Sequence, residues 1–226
     1  KLKGQHFMHH IGANLTVIEK AYIEAELLME EGNYRDYVRK RCVPKDFPVM
    51  VQIQNDGIHW TRPHVIIPFT HNDKIVGYTC RFLDNKTPKY ISDSQPNYVF
   101  GTDLQNKAWD HALVMEGIFD ALSIGGLAVM HNTISDSQAR LIRSLGREVT
   151  VVPDQDTAGI ELIDRAVELG WAVSIPEWPE GCKDVNDAVI VLGRVGTLLT
   201  IMAARETSKI KIELRKKQLV KRIRTS

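Results

Sequence analysis

Leu113-Val-Met-Glu-Gly-Ile-Phe-Asp-Ala-Leu122, Val151-Val-Pro-Asp-Gln-Asp-Thr-Ala-Gly-Ile160 and Lys183-Asp-Val-Asn-Asp187 decide the fold of this 226-residue chain. Each piece places carboxylates just after apolar residues or at a helix start. Val114 and Met115 lead into Glu116-Gly117, and Asp120 follows Glu116 by four residues, one helical turn further on the same face. Val149–Val152 lead into Pro153-Asp154-Gln155-Asp156. A short apolar run bounded by Gly or Pro and followed by helical periodicity reads as a buried parallel strand. Helical patterns over 118–124, 135–145 and 158–169 alternate with strand patterns over 127–130, 148–152 and 171–175. That alternation builds a doubly wound, mostly parallel α/β sheet whose ligand site lies at the carboxyl ends of the strands, where the acids sit.

Carboxylates gathered at one rim repel each other and raise each other's pKa unless a cation neutralises them. Hard oxygen donors with no Cys or His beside them point to Mg²⁺ or Mn²⁺ rather than zinc. The alternative is that these Asp and Asn residues are helix N-caps. The order and spacing of the three pieces nevertheless resemble the Toprim domain of bacterial and phage primases, of type IA and type II topoisomerases, and of certain nucleases. The resemblance implies that Glu116, Asp154 and Asp156 are catalytic metal-holding residues, that Asp184 is a further ligand and Asp120 an outer one. It also places Lys183 and Asn186 at bound nucleotide or template. Many bacterial primases show Asp-Pro-Asp where this chain has Asp184-Val185-Asn186, and phage primases often carry an Asn there.

Upstream, Val65-Ile-Ile-Pro-Phe69, a turn at His71–Lys74, the strand Ile75–Phe82, then Lys86-Thr-Pro-Lys-Tyr90 and Phe100-Gly101 follow one another. The turn is expected as a four-residue hairpin connection. This order is similar to the N-terminal subdomain of bacterial-type primases, and the similarity implies that Arg81 and Lys89 hold template or nucleotide phosphate. Arg offers a planar fork to phosphate oxygens and Lys a point charge; the other reading is strand charge protecting a sheet edge. Family members carry a Lys-Gly where this chain has Ser94-Gln95-Pro96-Asn97, with Lys107 the nearest substitute. Together with Arg41–Asp46, the whole most resembles the primase subunit of large tailed-phage primosomes.

Apolar content of 43% and charged content of 25% are those of an ordinary globular protein. Cys42, Cys80 and Cys182 are odd in number and form no Cys-x-x-Cys pair, so neither a disulfide framework nor a zinc ribbon is encoded here. No apolar run approaches a membrane span and no signal pattern opens the chain, so the expectation is a cytoplasmic protein without a membrane partner. The net charge of +1 conceals a division. Residues 39–89 carry nine Lys or Arg against four Asp or Glu, 112–190 five against thirteen, and 205–226 nine against two. An acidic centre between basic flanks suits a metal site served by phosphate-binding surfaces.

The expected organisation is an N-terminal helical or linker segment (1–46), a basic strand-rich subdomain (47–106), a Toprim domain (107–193) and a basic helix (194–226). The first segment starts without Met, as if cut from a longer protein, and includes a capping-box pattern at Thr16 and Glu19 and a His6/His9/His10 cluster. Arg194–Ser226 reads as one continuous helix with an i,i+4 pair of Glu213 and Lys217, its basic end meeting DNA, a helicase partner or solvent. The resemblance implies a DNA-directed RNA polymerase that makes short primers on single-stranded DNA from ribonucleoside triphosphates. A replicative helicase and an upstream zinc-ribbon domain are the partners it implies. A Toprim nuclease and a non-catalytic nucleic-acid-binding module are the alternatives.

Overall fold

The computed structural model describes residues 33–51, 62–72, 74–84 and 86–225. The His6/His9/His10 cluster and the Thr16–Glu19 pattern lie outside them. The chain forms two compact units, one of Lys1–Lys40 with Lys45–Pro96, the other of Arg41–Pro44 with Asn97–Ser226.

In the first unit, helix α1 (Asn33–Lys40) precedes a four-stranded antiparallel sheet in the order β1 (Met50–Val51), β2 (His64–His71), β3 (Lys74–Phe82), β4 (Tyr90–Asp93). β-Branched and aromatic residues dominate β2, and Val65, Ile67 and Phe69 are completely buried. The turn is tighter than expected, because His71 pairs with Lys74 and leaves two connecting residues. Asn72 takes the left-handed conformation (φ 52°) that such a connection favours. Gly77 faces the Asp93 carbonyl so closely that a Cβ would run into it. Arg62 forks onto Asp84 at 2.8 and 2.5 Å and lies 3.8 Å over the Phe82 ring, joining the two ends of the β2–β3 hairpin.

The second unit holds a five-stranded sheet in the order β6 (Leu127–Ala128), β5 (His111–Met115), β7 (Glu148–Val151), β8 (Ala172–Ser174), β9 (Arg205–Glu206). The first four strands are parallel and β9 is antiparallel. Its helices are α2 (Ile118–Ile124), α3 (Asp136–Ser144), α4 (Thr157–Leu169), α5 (Val185–Ala203) and α6 (Lys209–Thr225). Their starts follow from the sequence: Ser135 and Gln138 close a capping box on α3, and Asp156 and Asp184 cap α4 and α5. The core gathers Val114, Val151, Val173, Leu162 and Ile163 between sheet and helices.

Arg194–Ser226 is not one helix. A non-helical Gly193 (φ 72°) kinks α5, the chain leaves α5 at Ala203, adds β9 to the sheet edge, and re-enters a helix at Lys209. Ile212 and Leu219, seven residues apart on one face of α6, are buried in the core of this unit. Lys216 pairs with Glu213 at 3.0 Å and also with Asp164 on α4, in place of the expected Glu213–Lys217 pair. The expected boundary at 193/194 therefore disappears. α5 also corrects the reading of apolar runs: its 19 residues have a mean hydropathy of 1.5, long and apolar enough to cross a membrane by composition alone. Only part of that apolarity lies inside the unit: Val185, Ala188, Val189 and Ile201 are buried, whereas Val191, Val195 and Leu199 are exposed, and Arg194 donates to the Ile124 carbonyl.

Candidate metal and phosphate site

β5 and β7 are neighbouring parallel strands with Val114 opposite Val151, so Glu116 and Asp154 leave the sheet at the same end. Three hydrogen bonds hold the acidic pieces together there. Val152 N–H donates to the Val114 carbonyl (2.8 Å), Gln155 N–H to the Lys183 carbonyl (2.8 Å), and Asn186 N–H to Asp120 Oδ1 (2.7 Å). The glycines have steric reasons. A Cβ on Gly159 would collide with the Asp154 carbonyl, and one on Gly117 with the Asp120 carboxylate. The Asp-x-Asp-x-Ala-Gly spacing thus seats the first turn of α4 against the end of β7.

The capping reading of the acids is realised without using them up. Asp156 Oδ1 accepts from Ala158 N–H (2.9 Å) and Gly159 N–H (3.2 Å), and Asp184 Oδ1 accepts from Asp187 N–H (2.7 Å). Among the described residues no hydrogen bond is made by the Oδ2 atom of either side chain. Electrostatics separates this rim from ordinary caps. Burial, then the charges of Asp154, Asp156 and Glu161, push the Glu116 carboxyl up to about 8. Burial, then Asp184 and Asp156, raise Asp154 to about 7, with Lys183 pulling the other way. Asp120 is raised well above its usual range by burial, then by Asp184 and Asp154, against the opposing Asn186 N–H bond. Asp184 is raised, chiefly by burial.

A divalent cation fits this donor set. Glu116 Oε1 is buried and has no hydrogen-bond partner among the described residues, a cost that coordination would remove. Among the described residues no three His, Cys, Asp or Glu side chains converge closely enough to hold a metal ion by themselves.

The other expected site residues are distributed as follows. Lys183 is exposed beside the rim. Asn186 was expected at nucleotide or template, yet it is 1% exposed and its amide is engaged inside the unit. Nδ2–H donates to the Arg41 carbonyl (2.7 Å) and the Phe119 carbonyl (3.4 Å), and Oδ1 accepts from Arg41 Nη1 (3.1 Å). Asp120 is 6% exposed, which fits an outer position better than a first ligand. Arg81 and Lys89 belong to the first unit. Arg81 donates to the Tyr37 hydroxyl (3.1 Å) and lies 4.6 Å over the Tyr90 ring; Lys89 is exposed. Sequence reasoning gave Arg41 no place at the site, using it only within the Arg41–Asp46 stretch of the resemblance. No local signal marks it, because its partner lies 145 residues away.

Residues 113–189 match a family described as Toprim-like. They form a Toprim domain. The chain is 28% identical over 147 residues to the DNA primase of Clostridium acetobutylicum, covering 57% of this chain and 24% of that protein. To the DNA primase of Halalkalibacterium halodurans it is 27% identical over 183 residues, covering 68% and 30%. It therefore spans only a quarter to a third of these curated relatives. The Aquifex aeolicus primase, solved with its zinc-binding and RNA polymerase domains, superposes with a TM-score of 0.62 at 20% identity, covering 79% of this chain and 58% of that one. At 79% of this chain, the shared fold extends beyond residues 113–189. The chain is thus similar to bacterial DNA primases over part of their length.

Proposed function

We propose that this chain is the RNA polymerase part of a DNA primase, joining ribonucleotides into short primers on single-stranded DNA. One observation carries the proposal: half-buried, mutually repelling carboxylates with an unpartnered, buried Glu116 oxygen stand at the carboxyl ends of adjacent parallel strands, in a chain similar to DNA primases. Glu116 and Asp154 would be the principal metal ligands. Asp156 and Asp184 would contribute Oδ2 while Oδ1 caps a helix, and Asp120 would act from behind through Asn186. A bound Mg²⁺ or Mn²⁺ supplies activation of the primer 3′-hydroxyl and stabilisation of the leaving pyrophosphate. Lys183 would meet triphosphate oxygens, and Arg81 and Lys89 would hold template or nucleotide phosphate.

The same reading assigns the partners. The chain covers 24% of the Clostridium relative and the Aquifex neighbour includes a zinc-binding domain, so an upstream zinc ribbon is proposed for the full-length protein. A replicative helicase and a cytoplasmic setting complete the proposal. Asn186 in the third motif supports a phage-type primase.

The test incubates the chain with single-stranded DNA, the four ribonucleoside triphosphates and Mg²⁺ or Mn²⁺. Template-dependent short RNA that disappears on chelation is expected. Cleavage without synthesis would point instead to a Toprim nuclease, and binding without metal-dependent chemistry to a binding module.

A further inference from the structure

Residues Arg41–Pro44 belong to the second unit, although the residues on either side of them belong to the first. Arg41 is what this short segment brings to the Toprim domain. Its guanidinium lies 5.4 Å over the ring of Phe119 in the first turn of α2. Nη1 donates to Asn186 Oδ1 in the first turn of α5 (3.1 Å), and the Arg41 carbonyl accepts from Asn186 Nδ2 (2.7 Å). Asn186 hands the linkage on, because its backbone N–H donates to Asp120 Oδ1 (2.7 Å).

These two helix starts carry acids of the rim, Asp120 in α2 and Asp184 at the cap of α5. The charge of Asp184 acts on Asp120, so these two turns repel each other. A planar cation that stacks on a residue of one turn and hydrogen-bonds to a residue of the other opposes that separation, and a guanidinium fits both contacts.

We infer that Arg41 is a positioning residue, clamping the α2 and α5 starts so that Asp184 stands at the metal site through Asn186. The inference takes the acidic rim as the metal site proposed above. It predicts a division of labour: the clamp matters while the rim is empty, and a bound cation then takes over its charge compensation.

The experiment measures Mn²⁺ binding to the metal-free chain by paramagnetic resonance of free Mn²⁺, with Glu116→Gln as the control for rim occupancy. Primer synthesis is measured alongside as KM for Mn²⁺ and kcat. Arg41→Ala is expected to weaken Mn²⁺ binding about tenfold or more, the range typical of residues that orient ligands. KM for Mn²⁺ should rise by the same factor while kcat at saturating Mn²⁺ stays within about twofold. Arg41→Lys keeps the charge but not the fork and should recover only part of the affinity; it also serves if the alanine variant does not fold. Asn186→Ala should reproduce the loss, and combining it with Arg41→Ala should add nothing. Unchanged or tighter Mn²⁺ binding in Arg41→Ala, full recovery in Arg41→Lys, or additive losses would overturn the clamp. A wild-type chain that binds Mn²⁺ at the rim but makes no primers removes the polymerase reading alone. One that makes primers while the Arg41 variants bind Mn²⁺ normally removes the Arg41 inference alone.

Discussion

In the antiparallel unit Asp84 sits in the fork of Arg62 at 2.5 and 2.8 Å, whereas in the parallel unit Glu116 and Asp154 face further carboxylates. The Arg62 bond holds the Asp84 carboxyl below its ordinary range; burial and neighbouring acids hold Glu116 and Asp154 above theirs. Charge that serves the fold has been matched. The charge at the sheet end is only partly offset, by Lys183 and Arg41, and the carboxyls stay above their ordinary range.

The largest expected effect breaks the comparison at its acidic side. Glu116→Gln and Asp154→Asn each keep side-chain size but remove a ligand, so primer synthesis should fall by at least about 100-fold in a direct assay. The metal-free variants should melt no lower than the parent, since each loses one repelling charge. A large drop in melting temperature would assign the residue to the scaffold instead.

Packing provides the next effect. Leu219→Ala opens a cavity where α6 meets the core and should cost about 2–5 kcal/mol by denaturant unfolding. Gly159→Ala forces a Cβ into the Asp154 carbonyl and should cost about 1–3 kcal/mol, with loss of synthesis beyond that of Leu219→Ala because it displaces a ligand.

The pH dependence sharpens the comparison, because the two regions have opposite signs. Glu116 has a folded pKa of about 8, above its unfolded value near 4.3, so its charged form opposes folding fully above pH 8. That cost is relieved as the pH falls from 8 towards 4.3. The metal-free chain should therefore melt higher at pH 6 than at pH 8.5, and Glu116→Gln or saturating Mn²⁺ should flatten the difference. Asp84 works the other way: its folded pKa is lowered, so its contribution is present above the unfolded pKa and lost as acid passes through the folded one. Arg62→Ala should therefore lower the melting temperature at neutral pH and flatten its fall in acid, leaving stability below the folded pKa least changed.

The smallest effect concerns the basic residues of the first unit. Arg81→Ala and Lys89→Ala should each flatten the salt dependence of single-stranded DNA affinity by about one unit of log–log slope, without altering Mn²⁺ binding. An unchanged slope in both would leave Arg81 to its contacts with Tyr37 and Tyr90 and Lys89 to the sheet edge.

Much of this was legible in one dimension. Apolar runs ending in Gly or Pro, followed by helical periodicity, located β5, α2, α3, β7 and α4 to within a residue or two, because each is a local repeat closed by a local cap. Arg194–Ser226 was misread for the same reason: its helical period is real, but whether it runs through Ala203–Ser208 depends on an edge strand pairing with β8, which no local pattern announces. Asn186 shows the limit on the site. Its place in the third motif suggested a ligand or template contact, while its burial and its bonds to Arg41, Phe119 and Asp120 are long-range facts.

The amino-acid order by itself determined the sheet, its helices and the carboxylates at their ends, since periodicity, capping and glycine sterics act over a few residues. Only the tertiary structure decided which oxygens are left unpartnered, how far burial raises Glu116 and Asp154, and that Arg41 reaches Asn186. Those properties come from desolvation and Coulomb interaction, which depend on distances in space between residues as far apart as 145 positions in the chain.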